Sequence, residues 1–157
     1  MPYSEPLLRE AIRISREKME AGEGGPFGAV VARQGRVVGR GWNRVTSAND
    51  PTAHAEIEAI RAACATIGSF ALAGCEIYAS CEPCPMCLAA IYWARLDALY
   101  FAATRADAAS AGFDDARLYT EIPKPWAARR LAAGQHLRAE AREVLHRWRA
   151  QPDRIPY

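Results

Sequence analysis

The chain has 157 residues, half of them apolar and about a quarter charged, which is the size and composition of one globular domain. A net charge of +2 gives no sign of the concentrated basic stripe that a nucleic-acid surface needs. No stretch approaches the roughly 20 apolar residues of a membrane span, and Met1-Pro2-Tyr3-Ser4-Glu5 lacks the apolar core of a signal peptide.

In chain order, Ser4 and Pro6 mark a helix start, and Leu7, Leu8, Ala11, Ile12, Ser15 and Met19 recur at helical spacing up to Gly22. Phe27 to Ala32 reads as a short apolar strand, and Gln34-Gly35 turns it into a second, Arg36 to Trp42. The polar stretch Asn43 to Pro51 reads as a loop at a strand end. Pro51 and Thr52 lead into a helix carrying Ile57, Ala59, Ile60 and Ala63 that ends near Gly68. Cys75 to Ala79 is a strand, Cys84 to Ala94 a helix, and Ala98 to Ala102 a strand. Pro123-Lys124-Pro125 is a hinge, and Leu137 to Trp148 a last helix before a polar tail. Alternating strands and helices predict an α/β sandwich, with parallel strands after the opening hairpin.

The chemistry concentrates in two places. Ser80-Cys81-Glu82-Pro83-Cys84-Pro85-Met86-Cys87 places two thiols, Cys84 and Cys87, one helical turn apart. Some thirty positions earlier, Thr52-Ala53-His54-Ala55-Glu56 offers an imidazole and a carboxylate. His54, Cys84 and Cys87 make a three-ligand set suited to Zn²⁺, with a fourth tetrahedral position open. Glu56 is then a proton carrier rather than a ligand. On an ideal helix His54 and Glu56 stand about 200° apart, so they share one reaction centre only at a helix end. Cys81, Cys84 and Cys87 also open a ferredoxin-type iron–sulfur run, but its fourth cysteine is missing. A closed structural zinc site needs a fourth ligand, which neither Cys81 nor Cys75 is placed to give. Cys64 and Cys75 read as inert core thiols, Phe27, Trp42 and Trp93 as core by default, and His136 and His146 as solvated. Thiolate ligands favour a reducing compartment, which points to the cytoplasm.

H-x-E followed by P-C-x-x-C is the signature of zinc deaminases. The sequence resembles the cytidine deaminase superfamily, and within it the guanine deaminase branch. The resemblance rests on residues 24–30, 49–56, 80–95 (with Ile91-Tyr92-Trp93-Ala94-Arg95) and Ala111-Gly112-Phe113-Asp114-Asp115. It implies a three-layer α/β/α sandwich around a five-stranded mixed sheet, one Zn²⁺ per subunit, and conversion of guanine to xanthine and ammonia. It also implies a homodimer that exchanges residues 123–157, so that each segment closes the partner's pocket. By matching positions, Phe27 stacks on the purine, while Asn43 and the Ala55 backbone hydrogen-bond it. Asp114 or Asp115, Trp93, Glu140 and Tyr157 complete the site, with Glu140 beside Glu56 as a catalytic carboxylate. Residues 126–144 depart from the branch. Guanosine, cytosine and triazines such as ammeline stay open as substrates. A tRNA adenosine deaminase is the alternative supported by Lys124, Arg129 and Arg130, and a non-enzymatic zinc module is a further one.

Overall fold

The computed structural model describes residues 3–157 and divides them into two compact units, residues up to 116 and residues 117–157. In the first unit, helix α1 (Glu5–Glu20) is followed by strands β1 (Gly28–Arg33) and β2 (Arg36–Trp42). A one-turn helix α2 (Val45–Ala48) leads to α3 (Ala55–Ile67). Strand β3 (Cys75–Cys81), helix α4 (Pro85–Trp93), strand β4 (Ala98–Ala103) and helix α5 (Arg105–Ser110) follow. Helix α6 (Ala116–Glu121) spans the boundary, and the second unit continues through a 3₁₀ turn at Trp126–Ala128 to α7 (Arg138–Ala150).

The sheet among the described residues has four strands in the order β2-β1-β3-β4, not the five implied by resemblance. The reason lies in the residues after Ala103. They hold no run of β-branched and aromatic residues of strand length, and Thr104 and Asp107 instead form a reciprocal capping box that starts a helix. The strand directions are mixed. β1 is antiparallel to both β2 and β3, and β3 is parallel to β4, so β1 alone runs against the other three.

Alternation along the strands sends side chains to two cores. Ala29, Val31 and Ile77 pack with Ala55, Ala59, Ala63 and Ile91 from α3 and α4. Val30, Ala32 and Tyr78 pack on the opposite face with Leu7, Ala11 and Ile14 of α1. The first unit is therefore a three-layer sandwich, and its inner strands are buried on both faces. This explains why they read as continuous apolar runs.

One contact sets the height of α3 above the sheet. A Cβ at Gly41 would stand 2.1 Å from the Ala55 carbonyl oxygen, and one at Gly39 2.4 Å from that of Ala59. Glycine on the strand and alanine every fourth residue on the helix let the two backbones nearly touch. That approach fixes the first turn of α3 at the end of β2, where the site lies.

Candidate metal centre and active site

Helix α3 begins at Ala55, just after the Pro51-Thr52 lead-in, because Asp50 and Thr52 are occupied in a turn. The Asp50 carboxylate accepts hydrogen bonds from the Thr52 N–H (2.8 Å) and hydroxyl (2.7 Å), and the Ala53 N–H donates to the Asp50 carbonyl. His54 is left as the N-cap with extended backbone (φ −73°, ψ 156°). A residue outside the helix does not obey the helical wheel, so His54 and the second helical residue, Glu56, reach the same space. The angular conflict between them is removed by the cap.

The thiol motif is built in the same way. β3 ends at Cys81, Pro83 and Pro85 bracket the turn, and Cys84 is the N-cap of α4 (φ −65°, ψ 167°) with Pro85 as its first helical residue. Cys87 is three residues on, where an N-cap side chain meets the helix. The expected Cys84–Ala94 helix is thus shorter by one residue at each end. Two helix N-termini face one another, and their dipoles favour negative charge between them.

His54 Nδ1 lies 3.6 Å from Cys84 Sγ and 3.5 Å from Cys87 Sγ. A tetrahedral ion with Zn–S and Zn–N bonds of ordinary length has an N···S edge of about 3.6 Å. Among the described residues these three form the one group of His, Cys, Asp or Glu positioned to hold a metal. Without a cation the group shares protons. The Cys84 thiol is pushed down to about 4, chiefly by the hydrogen bond from Cys87 and then by His54. Cys87, donating that bond, is raised. His54 is raised, first by its hydrogen bond to Cys84. A donor set that already concentrates negative charge at its centre is one that a divalent cation fits.

Glu56 is 8% exposed, and burial raises its carboxyl, so it holds a proton more readily than a surface glutamate does. Cys81 is excluded from the group: its Sγ lies 3.6 Å from the Thr104 carbonyl, and burial pushes the thiol up to about 11.

The expected substrate residues fall into three groups. Phe27, Asn43, Ala55 and Asp115 gather at the end of the sheet that carries the metal group. The half-buried Phe27 immediately precedes β1, and its carbonyl accepts from the Asn43 N–H at 3.0 Å. Asn43 is buried, and its Oδ1 accepts from the Gly25 and Val45 N–H groups, both at 3.2 Å. That orientation leaves the Nδ2 donor for a ligand. Ala55 opens α3, and its N–H is one of the donors a helix cannot use internally. The Asp115 carboxyl is raised by burial and then by the nearby Cys84, whereas Asp114 accepts from the Ala116 N–H at 2.9 Å in a side-chain turn.

Trp93 stands apart. It ends α4, six residues beyond Cys87 and thus about 9 Å along the axis, and is 65% exposed rather than core. Glu140, in the first turn of α7, and Tyr157, the last residue, belong to the second unit, and both are exposed.

Sequence reasoning missed the Asp50–Thr52 turn, although Asp-Pro-Thr is a turn signal. It also missed Glu82, whose Oε2 accepts from the Arg105 N–H at 2.9 Å and ties the thiol loop to α5. Nothing local announced the Phe27–Phe113 ring contact.

A family model for the cytidine and deoxycytidylate deaminase zinc-binding region matches residues 1–103, two thirds of the chain. The chain belongs to this deaminase family. It is 49% identical over 145 residues to guanine deaminase of Bacillus subtilis, covering 92% of this chain and 93% of that one. The X-ray structure of guanine deaminase from Bacillus subtilis superposes with a TM-score of 0.95 at 46% identity, over 99% of both chains. A tRNA-specific adenosine deaminase from Agrobacterium fabrum is 50% identical, but over 78 residues, half of each chain. The deaminase carries a His/Cys/Cys group fit for one Zn²⁺, and no helix among its described residues is long and apolar enough to cross a membrane.

Proposed function

We propose that this deaminase hydrolyses guanine to xanthine and ammonia. One observation carries the choice of base: the likeness to guanine deaminase runs through both units, whereas the likeness to the tRNA enzyme covers half the chain. His54, Cys84 and Cys87 hold the zinc ion. When bound, zinc supplies a Lewis acid that lowers the pKa of water to about 7, so hydroxide is available at neutral pH.

The remaining work belongs to the chain's own groups. Glu56 accepts the proton of the attacking water and returns it to the ring nitrogen beside C2, as the water oxygen bonds to C2. A second transfer converts the amino group into departing ammonia and leaves a carbonyl at C2. Each positioned transfer contributes about 10²–10⁴ in rate. Burial of Glu56 supports this role, since a carboxyl that holds its proton can also give it back. Phe27 stacks on the purine, Asn43 Nδ2 donates to a purine acceptor, and the Ala55 N–H makes a further bond. Asp115, whose neighbour Asp114 is engaged by the Ala116 N–H, accepts from guanine N–H groups.

The finer reading is a cytoplasmic homodimer in purine metabolism that exchanges residues 123–157. Charge supports the exchange. Residues 117–157 hold nine Lys and Arg against four Asp and Glu, while the rest of the chain holds eleven against fourteen. Helix α7 buries no residue within its own chain and presents Leu137, Val144 and Leu145 exposed. In this reading Glu140 and Tyr157 of one subunit, and Trp93 at the interface, complete the other subunit's site. The test is ammonia release by the zinc-loaded chain from guanine, guanosine, cytosine, cytidine, adenine and ammeline. Turnover of guanine well above the rest is expected. Preference for any other member of the panel overturns the assignment.

A further inference from the structure

One ring at the site has no part in the scheme above. Phe113 meets Phe27 edge to face, with centroids 4.9 Å apart and planes at 85°. Phe113 is 45% exposed, so core burial does not hold it there. Local structure does. The Thr104–Asp107 capping box starts α5, and Glu82, from the thiol loop, accepts from the Arg105 N–H. At the other end Gly112 turns the chain through φ +94°, and the Phe113 N–H donates to the Ala108 carbonyl at 2.9 Å. Helix α5 is thus pinned at both ends and carries one aromatic ring to the edge of another.

We propose that Phe113 is a positioning residue that holds the Phe27 ring in the one orientation in which it stacks on the substrate base. The proposal rests on the reading that Phe27 is that stacking ring. An edge-to-face contact has a preferred geometry that an aliphatic side chain of similar volume does not reproduce. A mobile Phe27 has to be ordered when the base arrives, so loss of the contact weakens binding and leaves the chemical step alone.

Steady-state kinetics with guanine on the zinc-loaded chain separates the possibilities, with metal content and circular dichroism confirming the fold of every variant. Phe113→Leu is expected to raise KM about 2- to 12-fold, the range an aromatic pair contributes, with kcat within about twofold. Phe113→Tyr, which keeps the ring, is expected to restore KM. In the Phe27→Leu background, Phe113→Leu is expected to change KM less than about twofold, because the residue through which it acts is gone. If Phe27→Leu raises KM and Phe113→Leu does not, the positioning role fails while the stacking reading stands. If Phe27→Leu leaves KM unchanged, the stacking reading fails first. An equal effect of Phe113→Leu in both backgrounds, or no rescue by tyrosine, assigns Phe113 a structural role and overturns the proposal.

Discussion

Residues up to 116 and residues 117–157 are built on different principles. In the first unit every helix that touches the reaction centre packs on the sheet, and the metal ligands sit on its helix caps. His54 and Cys84 are N-caps, and Cys87 is one turn in. Their geometry follows from backbone rules that act over a few residues, backed by the Gly39–Gly41 approach to α3. The second unit carries an excess of cations, and α7 buries none of its side chains within the chain. The first unit is complete as a metal centre. The second carries positive charge and an exposed apolar stripe, Val144, Leu145 and Trp148, on α7.

The sharpest way to break this division is to attack the metal centre. Cys84→Ala removes a ligand at a cap, and zinc content by elemental analysis is expected to fall from one per chain to a small fraction, with activity lost alongside it. Full occupancy with wild-type turnover would mean that the centre lies elsewhere. Glu56→Gln isolates the proton carrier. Its shape is kept, so zinc and fold are expected to persist while kcat falls about 10²–10⁴-fold. A variant holding more than about a tenth of wild-type kcat contradicts that role.

The second unit is tested by removal. Deleting residues 152–157, with Tyr157, is expected to leave stability and zinc nearly intact and to cut kcat/KM for guanine at least ~30-fold, about 2 kcal/mol of transition-state binding. If the shortened chain is as active as the full one, the tail is only surface. The smallest expected effect lies at the strand that supports α3. Gly41→Ala puts a methyl group 2.1 Å from the Ala55 carbonyl oxygen, so the helix has to lift. A loss of about 1–3 kcal/mol in denaturant unfolding is expected. Unchanged stability would show that α3 is not held at this height.

The same division governs what could be read in advance. The His54, Cys84 and Cys87 group was legible because its chemistry is rare and its spacing local. The Gln34-Gly35 turn and the end of α3 at Gly68, whose φ is +71°, were legible for the same reason. The exact first residue of α3 was not legible, because Asp50 captures Thr52 in a side-chain turn that competes with the helix. The fifth strand came from resemblance alone. No residues beyond Ala103 spoke for it, and the four strands read from periodicity are the four observed. Contacts that join distant residues, such as Phe27 with Phe113 or Gly41 with Ala55, leave no local mark. Trp93 was misjudged as core because an aromatic in an apolar helix reads as buried, whichever face the sheet covers.

The central claim is that two facing helix caps offer one nitrogen and two sulfurs, leaving a fourth position open for the reaction. X-ray absorption at the zinc edge of the loaded chain tests it most directly, with Cys81→Ser as the control. The account predicts two sulfur neighbours at about 2.3 Å and lighter atoms at about 2.0–2.1 Å, with an unchanged spectrum and metal content in Cys81→Ser. Three sulfur neighbours, or a loss of one on replacing Cys81, would contradict it.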